Sequence, residues 1–265
     1  MMLNKKMTFD EIKSNKDLFL ETYNIAKEFE KSGYKWEDLM MIGYDYEQRY
    51  DSFFSTIQKF IAEISKFKDV HSYRYRIKST DSLLVKIIKK YSGVTKDNYI
   101  EKITDLLGIR ILYIFKSDYF SIHKQIMQNY GNQKTENIHL KLKEGDDEST
   151  YKDMLEKEDV KIEKNNAYRS IHYTFFSSTK NINNSPKIEI QTRTIFEEGW
   201  SEIDHKLVYK QDKESHLQFV SHILSDMVGT CDALGSLMQY LSKSQDNSVP
   251  KEGEIGEIIK RFLHK

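Results

Sequence analysis

Residues 187–194, KIEIQTRT, constrain the fold of this chain more than any other stretch. Apolar and polar side chains alternate along them, with Ile188, Ile190 and Thr192 on one side, which is typical of a strand that is buried on one face. Residues 195–206, IFEEGWSEIDHK, follow at once, and their spacing predicts a helix with one more charged side. An ordinary surface strand shows the same alternation, so this strand becomes informative only together with its neighbours.

Composition and charge limit the class of protein. A chain of 265 residues can bury a full core, in one domain or two small ones. Lysine plus arginine equals aspartate plus glutamate at 41 each, which argues against a broad duplex-binding surface and still allows a local basic pocket. The single cysteine, Cys231, excludes an internal disulfide and fits a reducing compartment. No apolar leader and no run of about 18 apolar residues are present, so we expect a cytoplasmic protein without a membrane segment.

Helical and strand patterns interleave in the centre of the chain, with helices towards both ends. Amphipathic spacing predicts helices in 8–31, 36–68, 81–92, 97–107 and 117–130, and in nearly everything after 194. Strands are predicted at 71–79, 108–115, 170–177 and 187–193, with 138–142 as a weaker candidate. The last two strands flank the turn at 183–186 and predict an antiparallel hairpin, whereas the charged residues 144–159 predict a mobile insertion and 251–265 a short helix or tail. This order favours a mixed sheet of the α+β or α/β class.

Basic side chains gather at the end of one predicted strand and in the helix after it. Arg76 and Lys78 share a strand face, and Lys86 and Lys89 are neighbours on the helix. Lysine supplies a point charge, arginine supplies a bidentate fork, and the start of a helix supplies unpaired N–H groups. The pattern therefore suits a polyphosphate. A solvated lysine-rich face gives the same spacing, and the sequence alone does not separate the two interpretations.

Two acidic residues on predicted neighbouring strands can form a metal site. Asp105 precedes one strand and Glu189 lies within another. Such a pair suits Mg²⁺, which keeps several waters and binds substrate phosphate, and a carboxylate there can also accept the proton of an attacking hydroxyl. Arg110 lies in an apolar strand and needs a partner, so a buried ion pair with Asp105 or Glu189 is the structural alternative.

Other polar side chains lie at a loop rim and on the final predicted strands. Tyr168 can stack on a base with Lys164 and Arg169 near its phosphates, although a rim tyrosine can equally be a packing residue. His172 can be a hydrogen-bonded structural histidine, and no second histidine or cysteine stands at metal-ligand spacing, so zinc is not expected. Asp204 can orient or cap its helix, and no nucleophilic triad or glycine-rich phosphate loop is present.

Five motifs taken together resemble the RelA/SpoT synthetase family. They are Arg76-Ile77-Lys78-Ser79, Asp105-Leu106-Leu107-Gly108-Ile109-Arg110, Ala167-Tyr168-Arg169-Ser170-Ile171-His172, Glu189-Ile190-Gln191-Thr192-Arg193-Thr194, and Trp200 through Asp204-His205-Lys206. They cover about residues 45–210 in the family's order. The resemblance implies a nucleotidyltransferase-like mixed sheet flanked by helices, in a synthetase domain at 45–212 between helical extensions at 1–44 and 213–265. It also implies a GTP pyrophosphokinase, which moves the β,γ-pyrophosphate of ATP to the 3′-hydroxyl of GDP or GTP and forms (p)ppGpp.

The resemblance also assigns roles to residues. ATP would be held by Arg76, Lys78, Ser79, Lys86 and Arg110, with the two arginines near the adenine and the lysines at the phosphates. Asp105 and Glu189 would bind Mg²⁺, or Mn²⁺ in its place, and Glu189 would activate the acceptor hydroxyl. Tyr168 would stack on the acceptor base, and the remaining acceptor site would be lined by Lys164, Arg169, His172, Gln191, Arg193 and Asp204.

Three departures from the family pattern fall on the acceptor side. Ala167 replaces a usual glycine, Asn165 a usual proline and Asp204 a usual glutamate. Two alternatives therefore stay open beside GDP or GTP. One is a toxic relative that pyrophosphorylates the 3′-terminal adenosine of tRNA and is controlled by an antitoxin. The other is a catalytically silent nucleotide- or RNA-binding module.

The remaining hypotheses concern surfaces. The tRNA alternative needs a basic patch, for which the candidates are Lys141, Lys143, Lys152, Lys157, Lys161 and Lys164. These lysines alternate with acids, which favours a solvated charged insertion instead. The apolar run 217–241 can be core or a surface for homo-oligomer formation.

Overall fold

A mixed six-stranded sheet organises the protein. The structure is a computed structural model that describes residues 6–178, 185–208 and 216–243. The strands are β1 (Ser72–Ile77), β2 (Leu107–Tyr113), β3 (Ile138–Lys143), β4 (Val160–Asn165), β5 (Ser170–Phe176) and β6 (Lys187–Thr194). They lie in the order β1-β2-β6-β5-β3-β4. Strand β3 pairs in parallel with β4 and antiparallel with β5, so the prediction of a mixed sheet with flanking helices is confirmed.

The described helices are α1 (Phe9–Ser14), α2 (Lys16–Thr22), α3 (Ala26–Ser32), α4 (Trp36–Gln48), α5 (Tyr50–Ile64), α6 (Thr80–Lys90), α7 (Tyr99–Lys102), α8 (Asp118–Tyr130), α9 (Lys152–Lys157), α10 (Ile195–Leu207) and α11 (His216–Lys243). No helix within these residues is long and apolar enough to cross a bilayer. The chain forms two compact units. The first contains Met1–Ile64, Tyr75–Gly108 and Phe176–Glu189, and the second contains Ser65–Arg74, Ile109–Phe175 and Ile190–Lys265.

Short helices build the first unit. The predicted helix over 8–31 is three helices. Asn15 caps α2 by accepting from the backbone N–H of Leu18, and Asn24, at φ +49°, separates α2 from α3. The predicted helix over 36–68 is likewise divided into α4 and α5 at Arg49. The apolar stripe of α5 is buried, as its spacing predicts.

The connection between β3 and β4 belongs to the second unit and is folded. A 3₁₀ turn at Glu148–Tyr151 leads into α9, and Tyr151 and Met154 are buried. The sequence predicted only a mobile insertion at 144–159, so it missed this turn, α9 and the following strand β4. Strand β4 is an edge strand of the described sheet. Its charged residues are partly exposed, so the alternation of apolar and polar residues that predicts a strand is weak there.

Helices α10 and α11 pack against each other in the second unit. Trp200 is buried with Ala167 and Val228, and its indole N–H donates to the carbonyl of Ser221 at 2.9 Å. The run 217–241 is neither wholly core nor wholly surface, since Val228 and Leu237 are buried while several apolar residues of α11 are exposed. Most of the predicted hairpin turn and all of 251–265 lie outside the described residues, while β5 and β6 are neighbours in the sheet.

Candidate active site

Two lysines enclose one carboxylate in the first unit. The Nζ atoms of Lys78 and Lys86 lie 2.9 Å and 2.8 Å from the two carboxylate oxygens of Asp105. The Lys78 backbone N–H donates to the carbonyl of Leu106 at 2.9 Å, and its own carbonyl accepts from the hydroxyl of Tyr46 at 2.7 Å. The cluster is therefore fixed by the end of β1, by α6 and by the residues just before β2. It carries one net positive charge.

The charges in this cluster are interdependent. Burial raises the pKa of Asp105, but the two lysines lower it more, so the pKa lies below its ordinary value. Burial lowers the pKa of Lys78, and the charge of Asp105 offsets only part of that effect. Asp105 is thus ionised at neutral pH, with the lysines as its counter-charges.

Four other residues that the sequence predicts as phosphate or metal ligands also belong to the first unit. Arg76 is exposed, and its side chain passes Gly108 so closely that a Cβ there would lie 3.4 Å from the Cγ and Nε atoms. The hydroxyl of Ser79 donates to that of Ser82 at 3.0 Å. Lys89 is exposed, and Glu189 is half-buried within β6.

Three arginines of the second unit converge on one buried glutamate. Nη1 of Arg110 donates to Glu198 at 2.7 Å and to Glu202 at 3.0 Å. Nη1 of Arg74 lies 3.6 Å from Glu198, and Nη1 of Arg193 lies 3.4 Å from it. The sequence-based partners for Arg110, Asp105 or Glu189, were therefore wrong, because α10 supplies both carboxylates.

Four residues predicted to bind the acceptor do meet in the second unit. The hydroxyl of Tyr168 lies 3.2 Å from Nε2 of His172 and accepts from Nη2 of Arg193. The same nitrogen of Arg193 donates to Gln191 at 3.0 Å, and the guanidinium carbon lies 4.9 Å from the centre of the Tyr168 ring. Lys141 also places its ammonium 5.8 Å from that ring centre. An aromatic ring bordered by cations suits a base that carries phosphate.

The other three predicted acceptor residues have partners of their own. Lys164 is exposed and pairs with Glu148 at 2.6 Å, and Asp204 accepts from the hydroxyl of Ser221. Arg169 is buried, with its guanidinium donating to Asp146 and to the backbone and side chain of Ser225. These contacts give Arg169 a structural task, and its acceptor role stays a prediction.

Asn165 holds the loop that leads to Tyr168. Its Oδ1 accepts from the backbone N–H groups of Ala167 and Tyr168, and its Nδ2 donates to the carbonyls of Leu142 and Tyr168. Sequence reasoning treated this residue only as a departure from a family pattern. An asparagine just before a turn is itself the signal for such backbone hydrogen bonds.

Comparisons with known proteins agree with this arrangement. A family model described as "Region found in RelA / SpoT proteins" matches residues 75–214. GTP pyrophosphokinase YwaC of Bacillus subtilis (strain 168) is 26% identical over 176 residues, which are 65% of this chain and 74% of that protein. The crystal structure of small alarmone synthetase 1 from Bacillus subtilis matches with a TM-score of 0.50 at 19% identity, over 75% of this chain and 94% of that one. The structural match confirms the fold.

Proposed function

Because this chain belongs to the family of the RelA and SpoT proteins, we propose that it transfers the β,γ-pyrophosphate of ATP to the 3′-hydroxyl of GDP or GTP. The matched residues are more than half of the chain, and the relative from Bacillus subtilis is a GTP pyrophosphokinase. Within the structure, the observation that carries the proposal is the pair of lysines on Asp105.

Lys78 and Lys86 are the proposed ligands of the ATP phosphates. Their ammonium groups lie 2.9 Å and 2.8 Å from Asp105, so a single carboxylate faces two positive charges and one of them is left without a counter-charge in the cluster. A triphosphate offers more negative charge than that carboxylate and suits the same donors. Lysine Nζ atoms move easily on their flexible stems, so ATP binding would transfer them from Asp105 to the phosphates.

Asp105 and Glu189 are the residues that would hold Mg²⁺, or Mn²⁺ in its place. Both supply the carboxylate oxygens that such cations prefer, and the lowered pKa of Asp105 keeps it ionised. Within the described residues no group of three or more histidine, cysteine, aspartate and glutamate side chains converges, so ATP phosphates would supply further oxygens. When bound, the ion would neutralise charge on the transferred group. Glu189 would accept the proton of the attacking 3′-hydroxyl.

Tyr168 and its neighbours are the proposed acceptor site. The ring is half-buried, and Arg193 lies 4.9 Å from its centre. A guanine base can stack on such a ring, while Arg193 and His172 face the sugar and phosphates. Arg193 is only 1% exposed and is held by Gln191, so this group is positioned before the acceptor arrives.

Charge pairing favours a guanine nucleotide over tRNA as the acceptor. A tRNA-binding surface needs cations that are free to release counterions on contact with phosphates. Each of the six candidate lysines has a carboxylate within 4 Å: the pairs are Lys141–Glu163, Lys143–Asp226, Lys152–Glu156, Lys157–Asp153, Lys161–Glu163 and Lys164–Glu148. Lys141 and Lys161 share Glu163, so six lysines face five carboxylates and their charges are largely compensated. This compensation favours the smaller acceptor.

The test is a transfer assay with γ-labelled ATP and Mg²⁺, offering GDP, GTP or deacylated tRNA in separate reactions. We expect label in a guanine nucleotide together with release of AMP, because the β and γ phosphates move as one group. Label in tRNA would support the toxic alternative, and label in no acceptor would support the silent one. Release of ADP would show transfer of a single phosphate and would refute the proposed reaction.

Asp105→Asn and Glu189→Gln test the proposed metal ligands. Each should lower turnover by about 100-fold or more, since removing one charge-stabilising group at a phosphoryl-type transfer costs at least that. Asp97→Asn and Glu101→Gln are matched controls, because both side chains are exposed in the same unit, and they should leave turnover unchanged. Near-normal turnover of either metal-ligand variant would place the metal elsewhere.

A further inference from the structure

Side chains from the N-terminal helices hold the junction between β1 and α6, residues 78–81, within the first unit. The hydrogen bonds join the pairs Tyr23–Asp81, Tyr46–Lys78 and Glu47–Thr80. All three N-terminal partners precede residues 75–214, the part of the chain that matches the family model. The junction begins with Lys78, so a proposed ligand of the ATP phosphates is fixed by residues from outside the family region.

The hydrogen bond from Tyr46 acts on the backbone of Lys78. The Tyr46 hydroxyl donates to the Lys78 carbonyl at 2.7 Å, and the Lys78 N–H donates to the carbonyl of Leu106 at 2.9 Å. Leu106 directly follows Asp105 in the chain. The backbone of Lys78 is therefore tied to α4 on one side and to the residues before β2 on the other. It stays in place while the flexible side chain moves its ammonium group from Asp105 to a phosphate.

Tyr46 is itself firmly held. Its side chain is 1% exposed, and the centre of its ring lies 5.3 Å from that of Phe53 and 6.2 Å from that of Tyr99. Burial, followed by the negative charges of Glu47 and Asp105, raises the pKa of the Tyr46 hydroxyl well above its ordinary value. The hydroxyl therefore stays protonated and remains a hydrogen-bond donor. A buried, satisfied hydrogen bond on a packed ring makes its surroundings rigid.

We propose that Tyr46 is a positioning residue for ATP, which fixes the backbone of Lys78 so that the Lys78 ammonium group meets the phosphates in one orientation. This inference rests on the proposed function, in which Lys78 binds those phosphates. Tyr46 acts through Lys78, because its hydroxyl donates to the Lys78 carbonyl. A ligand group that is ordered in advance binds more tightly, since less conformational freedom is lost on binding. Helix α4 is thereby part of the ATP site.

A role in stability alone predicts a different result, and Tyr99 offers the matched comparison. Tyr99 is also fully buried in the first unit, and its hydroxyl donates at 2.8 Å to Asp45, which lies outside the junction. Tyr46→Phe and Tyr99→Phe each remove one buried hydroxyl and its hydrogen bond, so both should lower the urea unfolding midpoint. If Tyr46 served stability alone, the two variants would behave alike towards ATP.

The experiment measures binding of a non-hydrolysable ATP analogue by calorimetry to the wild type, Tyr46→Phe, Tyr99→Phe, Lys78→Met and the double variant Tyr46→Phe with Lys78→Met. We expect Tyr46→Phe to weaken binding about fivefold, the factor that corresponds to one neutral hydrogen bond of ordinary strength, and Tyr99→Phe to bind like the wild type. Lys78→Met should bind more weakly than the wild type. Adding Tyr46→Phe to Lys78→Met should then change the affinity little, because the charge through which Tyr46 acts is gone. In steady-state transfer, Tyr46→Phe should raise the KM for ATP and leave the KM for GTP unchanged.

Three results would overturn this role for Tyr46. Tyr46→Phe that binds the analogue within about twofold of the wild type would exclude it, and equal weakening in Tyr99→Phe would show a general effect of lost stability. A fivefold effect of Tyr46→Phe that persists beside Lys78→Met would show that Tyr46 does not act through Lys78.

Failure of this role is distinguishable from failure of the proposed function. Weak binding by Lys78→Met together with unchanged binding by Tyr46→Phe rejects only the role of Tyr46. Lys78→Met that binds the analogue like the wild type rejects the proposed phosphate ligand, and no transfer by the wild type rejects the proposed function.

Discussion

Asp232 on α11 gives the sharpest prediction about stability. Its side chain is 2% exposed, Oδ2 accepts from the hydroxyl of Thr194 at 3.1 Å, and Oδ1 is buried without a hydrogen-bond partner. Burial, followed by the negative charge of Glu197, raises the pKa of Asp232 to about 8. At neutral pH the folded protein therefore holds this carboxyl mainly in its protonated form.

The magnitude follows from proton linkage. The raised pKa means that the folded state binds a proton which the unfolded state has lost, throughout the range from the ordinary aspartate pKa of 3.8 to about 8. The stability that Asp232 contributes is fully present below the unfolded-state pKa of 3.8. It is lost as the pH rises towards the folded-state pKa of about 8. The slope approaches about 1.4 kcal/mol per pH unit, so from about pH 5.5 to about pH 7.5 this residue removes roughly 2–3 kcal/mol. Asp232→Asn keeps the shape of the neutral form and cannot lose that proton.

The assay compares urea unfolding of the wild type and Asp232→Asn at both pH values. The background is Trp36→Phe, which leaves Trp200, a buried residue of the same unit as Asp232, as the reporter. Groups that do not interact with residue 232 titrate alike in the two proteins, so the difference between their unfolding free energies reports the titration of residue 232 together with its interaction with Glu197. That difference should move in favour of Asp232→Asn by roughly 2–3 kcal/mol between the two pH values. A difference that is constant with pH, or that moves in favour of the wild type, would refute a protonated Asp232.

Two further predictions concern the acceptor and the packing of α1. Tyr168→Ala should raise the KM for the acceptor in the transfer assay while calorimetric binding of an ATP analogue stays unchanged; loss of ATP binding alone would show that Tyr168 serves the donor. Gly43→Ala should lower the unfolding free energy, because the added Cβ would overlap Cε2 of Phe9. Displacing that ring costs about 1–3 kcal/mol, which exceeds the gain in helix propensity. Gly199→Ala is the control, since nothing lies within 4 Å of its Cβ position and the propensity gain should appear as stabilisation; equal effects at both glycines would contradict the packing argument.

Local patterns revealed the elements that bury one continuous face. Strands β2, β5 and β6 and helix α8 lie close to their predicted positions, because their apolar periodicity is strong over at least a full strand or three turns. The N-terminal helices were predicted too long, since amphipathic spacing continues through the breaks at Asn15 and Arg49. The position of a break within a continuous amphipathic pattern depends on how the successive helices pack. The spacing of apolar residues carries no information about that packing.

In the candidate site, too, the sequence predicted groups of residues that are close in the chain but not their partners from distant elements. The sequence grouped Lys78 and Lys86 in one basic cluster and assigned Asp105 to a metal site with Glu189. The ion pairs that join both lysines to Asp105 were not predicted. Glu198 and Glu202 were missed as partners of Arg110, since two acids on a helix normally indicate a solvated face. Their spacing of four residues opposite an arginine in an apolar strand was the available signal, but only tertiary packing decides which helix meets that strand.

The acceptor loop shows how departures from a family pattern can be compensated elsewhere in the chain. Ala167, in place of a usual glycine, is 8% exposed and buries its methyl group against Trp200 and Val228. Its carbonyl accepts from the hydroxyl of Ser225 at 2.6 Å, so α11 supports the loop directly before Tyr168. Because a methyl group packed against α11 removes the freedom that glycine would give, the position of Tyr168 depends on that helix. The C-terminal helix is therefore part of the scaffold of the acceptor site, and substitutions on its buried side should affect acceptor use before they affect ATP binding.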